Sequence, residues 1–164
     1  MMKAVVIVAS TSGYLGQRED KSGPALKARL ENMGFTVPEI LLLPDDRRKL
    51  SEAMRELADE QKVELIVTTG GTGFAKDDCT PEATLDIVER RADGIPEAMR
   101  AYSSQFTDRA MLSRAAAGIR GETVIINLPG SVKAVEECMD CVENSLIHGI
   151  EILTGKTGEC ARQC

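Results

Sequence analysis

At 164 residues the chain has the length of one domain, where domains run roughly 100 to 200 residues. It is 43% hydrophobic and 28% charged, the balance of a globular protein with a sizeable core. A net charge of −6 argues against general nucleic-acid binding, which needs a basic surface. No apolar run approaches the roughly 18 residues of a membrane span.

The first strong signal is Ala4-Val5-Val6-Ile7-Val8-Ala9, a continuous apolar run that reads as a strand covered on both faces. It is too short for a secretory signal and runs straight into a polar loop, so a cytoplasmic protein is expected. That loop, residues 10–21, is rich in Ser, Thr and Gly. Pro24 opens a helix over 24–33, which Gly34 ends. Residues 36–43 read as a second strand. A helix follows over 46–61, with Leu50, Ala53, Met54 and Leu57 on one stripe. Residues 63–69 form a third strand, and Gly70-Gly71-Thr72-Gly73 makes a turn that glycines adopt easily. Thr80-Pro81 then starts a helix predicted over 80–91, with Thr as cap and Pro where its missing N–H is harmless. Pro96 begins another short helix. Residues 124–128 are a strand, and Pro129-Gly130 turns into a long helix, Val132–Leu153. The alternation predicts an α/β fold of βα units around a mostly parallel sheet. Residues 1–154 form one domain, and the polar tail 155–164 is expected to fray.

In such sheets ligands bind beyond the carboxyl ends of the strands. Four loops lie there: 10–21, 44–46, 70–80 and 128–131. They gather the glycines and polar residues, whereas the strands feeding them are nearly pure hydrocarbon. The loop at 69–73 can bring backbone N–H groups close to phosphate oxygens, although a glycine turn also serves structure alone. It fits neither the dinucleotide fingerprint nor the P-loop. The stretch GIEILTGKT at 149–157 is one residue too long for a P-loop. Asp45 and Asp46 end one strand, and Asp77 and Asp78 follow the glycine loop. Carboxylates from two strand ends suit a Mg²⁺ carrying nucleotide phosphates; they also simply offset helix dipoles. Lys21, Lys76, Arg100 and Arg114 are candidate anion contacts or ordinary solvated cations. Among five cysteines, Cys138 and Cys141 form a CxxC inside a helical stretch, where packing explains the spacing better than redox or metal chemistry. The single histidine, His148, reads as structural.

Several stretches together resemble one family. Thr69-Gly70-Gly71-Thr72-Gly73, then Asp78, then Thr80-Pro81-Glu82-Ala83 resemble the signature of the molybdopterin-binding (MoCF biosynthesis) domain. Gly94-Ile95-Pro96-Glu97-Ala98-Met99-Arg100, Leu112-Ser113-Arg114-Ala115, Ala117-Gly118-Ile119 and Asn127-Leu128-Pro129-Gly130-Ser131 continue the match. So does Arg18-Glu19-Asp20-Lys21-Ser22-Gly23-Pro24-Ala25, so that the resemblance runs from about residue 3 to 153. It is strongest to stand-alone MogA-type adenylyltransferases. It implies a three-layer α/β/α sandwich and a homo-oligomer, trimer rather than hexamer. The implied reaction moves AMP from MgATP to the terminal phosphate of molybdopterin, whose product passes to a molybdenum-inserting enzyme.

The resemblance assigns Asp45 and Asp78 as catalytic residues that hold Mg²⁺, directly or through water. It assigns binding of molybdopterin and ATP to Ser10, Thr69, Gly70, Gly71, Thr72, Gly73, Thr80, Pro81 and Glu82. Met99, Ser113, Arg114, Asn127, Leu128, Pro129, Gly130 and Ser131 complete that set. Two departures stand out. Relatives have a Ser-Asp pair after the first strand where this chain has Ser10-Thr11, and Pro-Gly-Phe is replaced by Asp93-Gly94-Ile95. The competing readings are a MoaB-like or inactive molybdopterin-binding protein, a flavin carrier and a structural oligomer. The aromatic content, 3% with no Trp, disfavours a flavin site.

Overall fold

A computed structural model describes residues 1–156. Six strands form one sheet: β1 Ala4–Ala9, β2 Ile40–Leu43, β3 Leu65–Thr69, β4 Arg90–Arg91, β5 Ala117–Arg120 and β6 Thr123–Leu128. Their order is β2-β1-β3-β6-β5-β4. The pairs β1–β2, β1–β3 and β3–β6 are parallel, whereas β5 runs antiparallel to β6 and β4 antiparallel to β5. Six helices accompany the sheet: α1 Thr11–Tyr14, α2 Ser22–Asn32, α3 Arg47–Asp59, α4 Thr80–Leu85, α5 Gly94–Ser103 and α6 Val132–Leu153.

The apolar run of β1 is continuous because its two faces meet two different cores. Ala4, Val6 and Val8 pack with Leu26 and Leu30 of α2, Met99 of α5 and the buried stripe of α6. Val5, Ile7 and Ala9 pack with Leu50, Met54 and Leu57 of α3 and with Ala83 of α4. Side chains alternate across a strand, so a strand buried on both sides must be apolar at every position. The result is the expected three-layer α/β/α sandwich. The predicted stripe of α3 holds for Leu50, Met54 and Leu57, all essentially fully buried.

Local chemistry explains most helix ends. Two residues before the predicted start, α2 opens, because the Asp20 carboxylate accepts from Ser22 Oγ and Gly23 N, each at 3.1 Å. Gly34 ends it at φ +93°, with Gly34 N donating to Glu31 O and Phe35 N to Leu30 O, both 3.0 Å. Gly155, at φ +70°, closes α6 the same way: its N–H reaches Ile152 O, and that of Lys156 reaches Glu151 O. The remainder of the tail expected to fray, residues 157–164, lies outside the described residues.

Several elements differ from the sequence reading. The helix expected over 80–91 stops at Leu85. Glu89 N donates to Ile119 O, and Arg90 and Arg91 pair with Ile119 and Gly118. Sheet pairing overrides the local helical pattern once β-branched Ile87 and Val88 are reached. β5 carries small residues, which conceal it. A Cβ on Gly118 would lie 2.7 Å from Val88, so glycine lets the edge cross closely. The strand expected over 36–43 is regular only from Ile40; Thr36 forms a single bridge with Lys3.

Cys138 is 2% exposed, inside the α6 core face, with Cys141 packed beside that core. Burial pushes the Cys138 thiol up to about 11. A redox cysteine needs the opposite. Cys138 is therefore expected to resist alkylation by iodoacetamide at neutral pH until the protein unfolds; labelling of Cys138 in the native state, read by peptide mass, would contradict this packing.

Candidate functional site

The chain leaves β1 to build β2 on one side, then returns to build β3 on the other. The carboxyl ends of β1 and β3 are thus the point where the strand order reverses, the usual place for a crevice in an open α/β sheet. A cleft of about 830 Å³ opens there. Its walls include Ser10, Thr11, Arg18, Lys21, Asp45, Thr69, Gly70, Gly71, Asp78, Gly130 and Ser131.

Backbone proximity at the floor requires glycine. Gly70 sits at φ +92°, and a Cβ there would lie 2.4 Å from the Ala9 carbonyl oxygen. Gly70 N donates to Leu128 O at 3.1 Å, and a Cβ on Gly130 would touch the Gly70 Cα at 3.4 Å. Three strand ends therefore meet at one small backbone junction, and Thr69 Oγ1 ties it by donating to Pro129 O at 2.8 Å. The starts of α2 and α6 also open on the cleft, through Lys21 and Ser22 and through Ser131 and Val132. Helix N-termini carry unpaired N–H groups and a partial positive charge, so this end of the sheet suits phosphate despite the acidic chain.

Two carboxylates face this space. Asp45 is the middle residue of a tight turn closed by Asp46 N donating to Pro44 O at 2.8 Å. Its Oδ2 accepts from Thr11 N at 3.0 Å and Thr11 Oγ1 at 3.1 Å. Its Oδ1 is buried without a hydrogen-bond partner among the described residues. Asp78 folds back on its own loop: Oδ2 accepts from Gly73 N at 2.9 Å and Ala75 N at 3.2 Å. The neighbouring acids have other tasks. Asp46 caps α3 by accepting from Lys49 N at 3.0 Å, and Asp20 caps α2. An unpaired, buried carboxylate oxygen in a cleft is costly unless a cation or donor joins it. Asp45 Oδ1 therefore fits a hard divalent cation. Among the described residues no group of three or more His, Cys, Asp or Glu side chains could hold a metal ion. Two carboxylates with substrate oxygens completing the shell is how Mg²⁺ is usually held.

Around this pair the other predicted site residues divide into three sets. Ser10, Thr69, Gly70, Gly71, Gly130 and Ser131 line the cleft. Ser10 also caps α1 through Gly13 N, and Ser131 caps α6 through Ala134 N. Thr72, Gly73, Thr80, Pro81, Glu82, Ser113, Arg114, Leu128 and Pro129 form the support behind it. Met99 and Asn127 lie in the core, 3% and 0% exposed. Asn127 joins three segments: its Oδ1 accepts from Ala116 N at 3.1 Å, and its amide donates to Thr68 Oγ1 at 3.0 Å and Thr84 Oγ1 at 2.8 Å. Thr80 Oγ1 is buried without a hydrogen-bond partner among the described residues and borders Gly71, where a Cβ would lie 2.4 Å from it and 3.0 Å from Asp45 Oδ1.

Arg114 is the brace of the glycine loop. Its N–H donates to Thr72 O at 2.8 Å, its Nε to Gly73 O at 2.8 Å and one terminal nitrogen to Asp78 O at 3.0 Å. The other terminal nitrogen pairs with Glu82 on α4. Burial raises the Glu82 carboxyl, but the hydrogen bond from Arg114, a backbone hydrogen bond and the charges of Arg114 and Arg47 together outweigh it, and the net shift is downward. A lysine has no planar fork to reproduce this set. Arg114→Lys is expected to leave overall folding intact and to speed amide hydrogen exchange at Gly73 and Ala75 about tenfold, the worth of one or two lost charge-assisted bonds. Unchanged exchange at those amides would remove the brace. Arg100 has a similar task, donating to Ser113 O and Ala115 O. Sequence reasoning missed Thr11, whose role appears only once residues 11 and 45 are side by side.

Comparison with known proteins places the chain among relatives of one kind. Residues 5–148 match the family described as "Probable molybdopterin binding domain". A molybdopterin adenylyltransferase of Haemophilus influenzae is 39% identical over 157 residues, covering 92% of this chain and 79% of that protein. The Escherichia coli K12 protein of the same name is 39% identical over 142 residues, covering 82% and 72%. Among solved structures, the molybdopterin biosynthesis enzyme MoaB of Thermus thermophilus superposes with a TM-score of 0.90 at 37% identity, covering 97% of this chain and 100% of that one. The tungsten cofactor synthesizing protein MoaB of Pyrococcus furiosus has a TM-score of 0.84 at 32% identity, covering 93% and 97%. By this match over most of its length, this chain belongs to the molybdopterin-binding, MoCF biosynthesis, family.

Proposed function

We propose that the protein is a molybdopterin adenylyltransferase of molybdenum-cofactor biosynthesis. An oxygen of the terminal phosphate of molybdopterin attacks the α-phosphorus of ATP. A new P–O bond forms, the bond to the bridging oxygen breaks, and pyrophosphate leaves with that electron pair. The observation that carries this reading is the pair Asp45 and Asp78, brought from two different strand ends into one cleft whose rim offers helix N-termini. The names of the relatives at 36–39% identity support it.

Mg²⁺ bound between Asp45 and Asp78 would neutralise and align the converging phosphates. The chain's own groups do the rest. Backbone N–H groups at the start of α6 bind phosphate oxygens, Arg18 and Lys21 offset charge at the rim, and Gly70 and Gly71 allow close approach. Thr80, Glu82 and Arg114 act through the loop they hold. Placement and charge supply most of the rate in phosphoryl and nucleotidyl transfer, so a rigid loop is itself catalytic equipment. The same reading makes the protein a cytoplasmic homotrimer that passes its product to a molybdenum-inserting enzyme.

A second reading is a MoaB-like molybdopterin-binding protein that performs no transfer. ATP labelled at the α-phosphate separates the two. Label recovered in the pterin product supports the transferase. Molybdopterin bound without label transfer supports the carrier and overturns the transferase.

A further inference from the structure

Asp45 owes its orientation to one neighbour. Thr11 is the first residue of α1, where N–H groups have no partner within the helix. Its N–H and its Oγ1 both donate to Asp45 Oδ2, at 3.0 and 3.1 Å, and the same Oγ1 accepts from Asp45 N at 3.0 Å. Ser10 N donates to Leu43 O at 2.9 Å one step earlier, so the ends of β1 and β2 are laced together up to the carboxylate. Two donors on Oδ2 fix the plane of the carboxylate, and the oxygen left over is the buried, unpaired Oδ1. A hydroxyl can serve both ways through one atom, donating to Oδ2 while accepting from the Asp45 N–H. A single amide turn would otherwise leave the Asp45 side chain free to rotate into solvent.

We propose that Thr11 is the positioning residue of the site: its reciprocal hydrogen bonds hold Asp45 with Oδ1 turned to the cation. Thr11 lies on the cleft wall, and its side-chain hydrogen bonds go to Asp45. It acts through Asp45, and its hydroxyl suits a carboxylate partner that must be held in one orientation. The inference rests on the adenylyltransferase reading only for its kinetic consequence; the cation affinity is independent of turnover.

The test uses the full chain as wild type, Thr11→Val and Thr11→Ser, with Mn²⁺ as the probe for an octahedral oxygen site. Thr11 is exposed, so neither change threatens the core. Thr11→Val keeps the shape and loses both hydroxyl bonds; Thr11→Ser keeps them. Thr11→Val is expected to weaken Mn²⁺ binding about tenfold, and Thr11→Ser to stay within about twofold of wild type, as for other groups that orient a metal ligand. Melting temperatures should coincide. In turnover, kcat of Thr11→Val should fall while KM for molybdopterin holds. Equal Mn²⁺ affinity of wild type and Thr11→Val overturns the inference, as does Thr11→Ser as weak as Thr11→Val, or a wild type that binds no Mn²⁺. Weakened Mn²⁺ binding in Thr11→Val together with no pyrophosphate from any form upholds Thr11 and sinks the transferase reading instead.

Discussion

Asp78→Asn is expected to reduce pyrophosphate formation by about 100- to 1,000-fold at saturating Mg²⁺, the scale on which a single preorganised electrostatic group acts. The amide keeps an oxygen that can accept from Gly73 N and Ala75 N, so the loop stays closed. What is lost is the negative charge facing the cleft. The melting temperature should therefore move by less than about 3 °C, as for a replacement that leaves the packing alone. A variant with normal turnover would show that Asp78 serves only its own turn. A variant that melts much earlier would show the reverse, a structural carboxylate whose loss cannot be read as catalysis.

The second large effect lies in the core. Asn127→Leu leaves the Ala116 N–H without its acceptor and deprives the Thr68 and Thr84 hydroxyls of their donor, all in buried surroundings. Each buried polar group left unpaired costs about 1–3 kcal/mol, so a loss of about 4 kcal/mol and roughly 10 °C in melting temperature is expected. That is a large share of the total stability of a domain, about 5–15 kcal/mol. Denaturant unfolding measures it directly; a loss below about 1 kcal/mol would mean that the three bonds are not intact. KM for molybdopterin, measured where the variant is still folded, should be unchanged, because Asn127 is fully buried and away from the cleft wall. A raised KM would return Asn127 to the substrate contacts that the family resemblance implies.

Much of this was legible in the sequence because the strongest signals are local. The unbroken apolar run of β1 announces a strand between two helical layers, and Gly34 announces the end of α2. The glycine loop after β3 and the Pro129-Gly130 turn after β6 mark strand ends, and strand ends mark the crevice. The end of α4 and the strands β4 and β5 were not legible, since Arg90-Arg91 becomes a strand only by pairing with residues 118–119, and β5 hides behind small side chains. The same limit applies at the site. Arg114 looks like an anion contact in sequence, yet its donors are occupied by the loop. Asn127 looks like a ligand group beside a turn, yet it staples the sheet to α4. Thr11 looks like a lost acid, yet it is the group that aims Asp45. In each case the partner is tens of residues away, and only the fold brings it near.

The reading stands most directly on pyrophosphate release from MgATP by the wild-type protein, measured with and without purified molybdopterin. Release that requires molybdopterin, one pyrophosphate for each adenylylated pterin, is the predicted result. Tight molybdopterin binding with no release would contradict it and leave a carrier, with Asp45 and Asp78 holding no reacting phosphate.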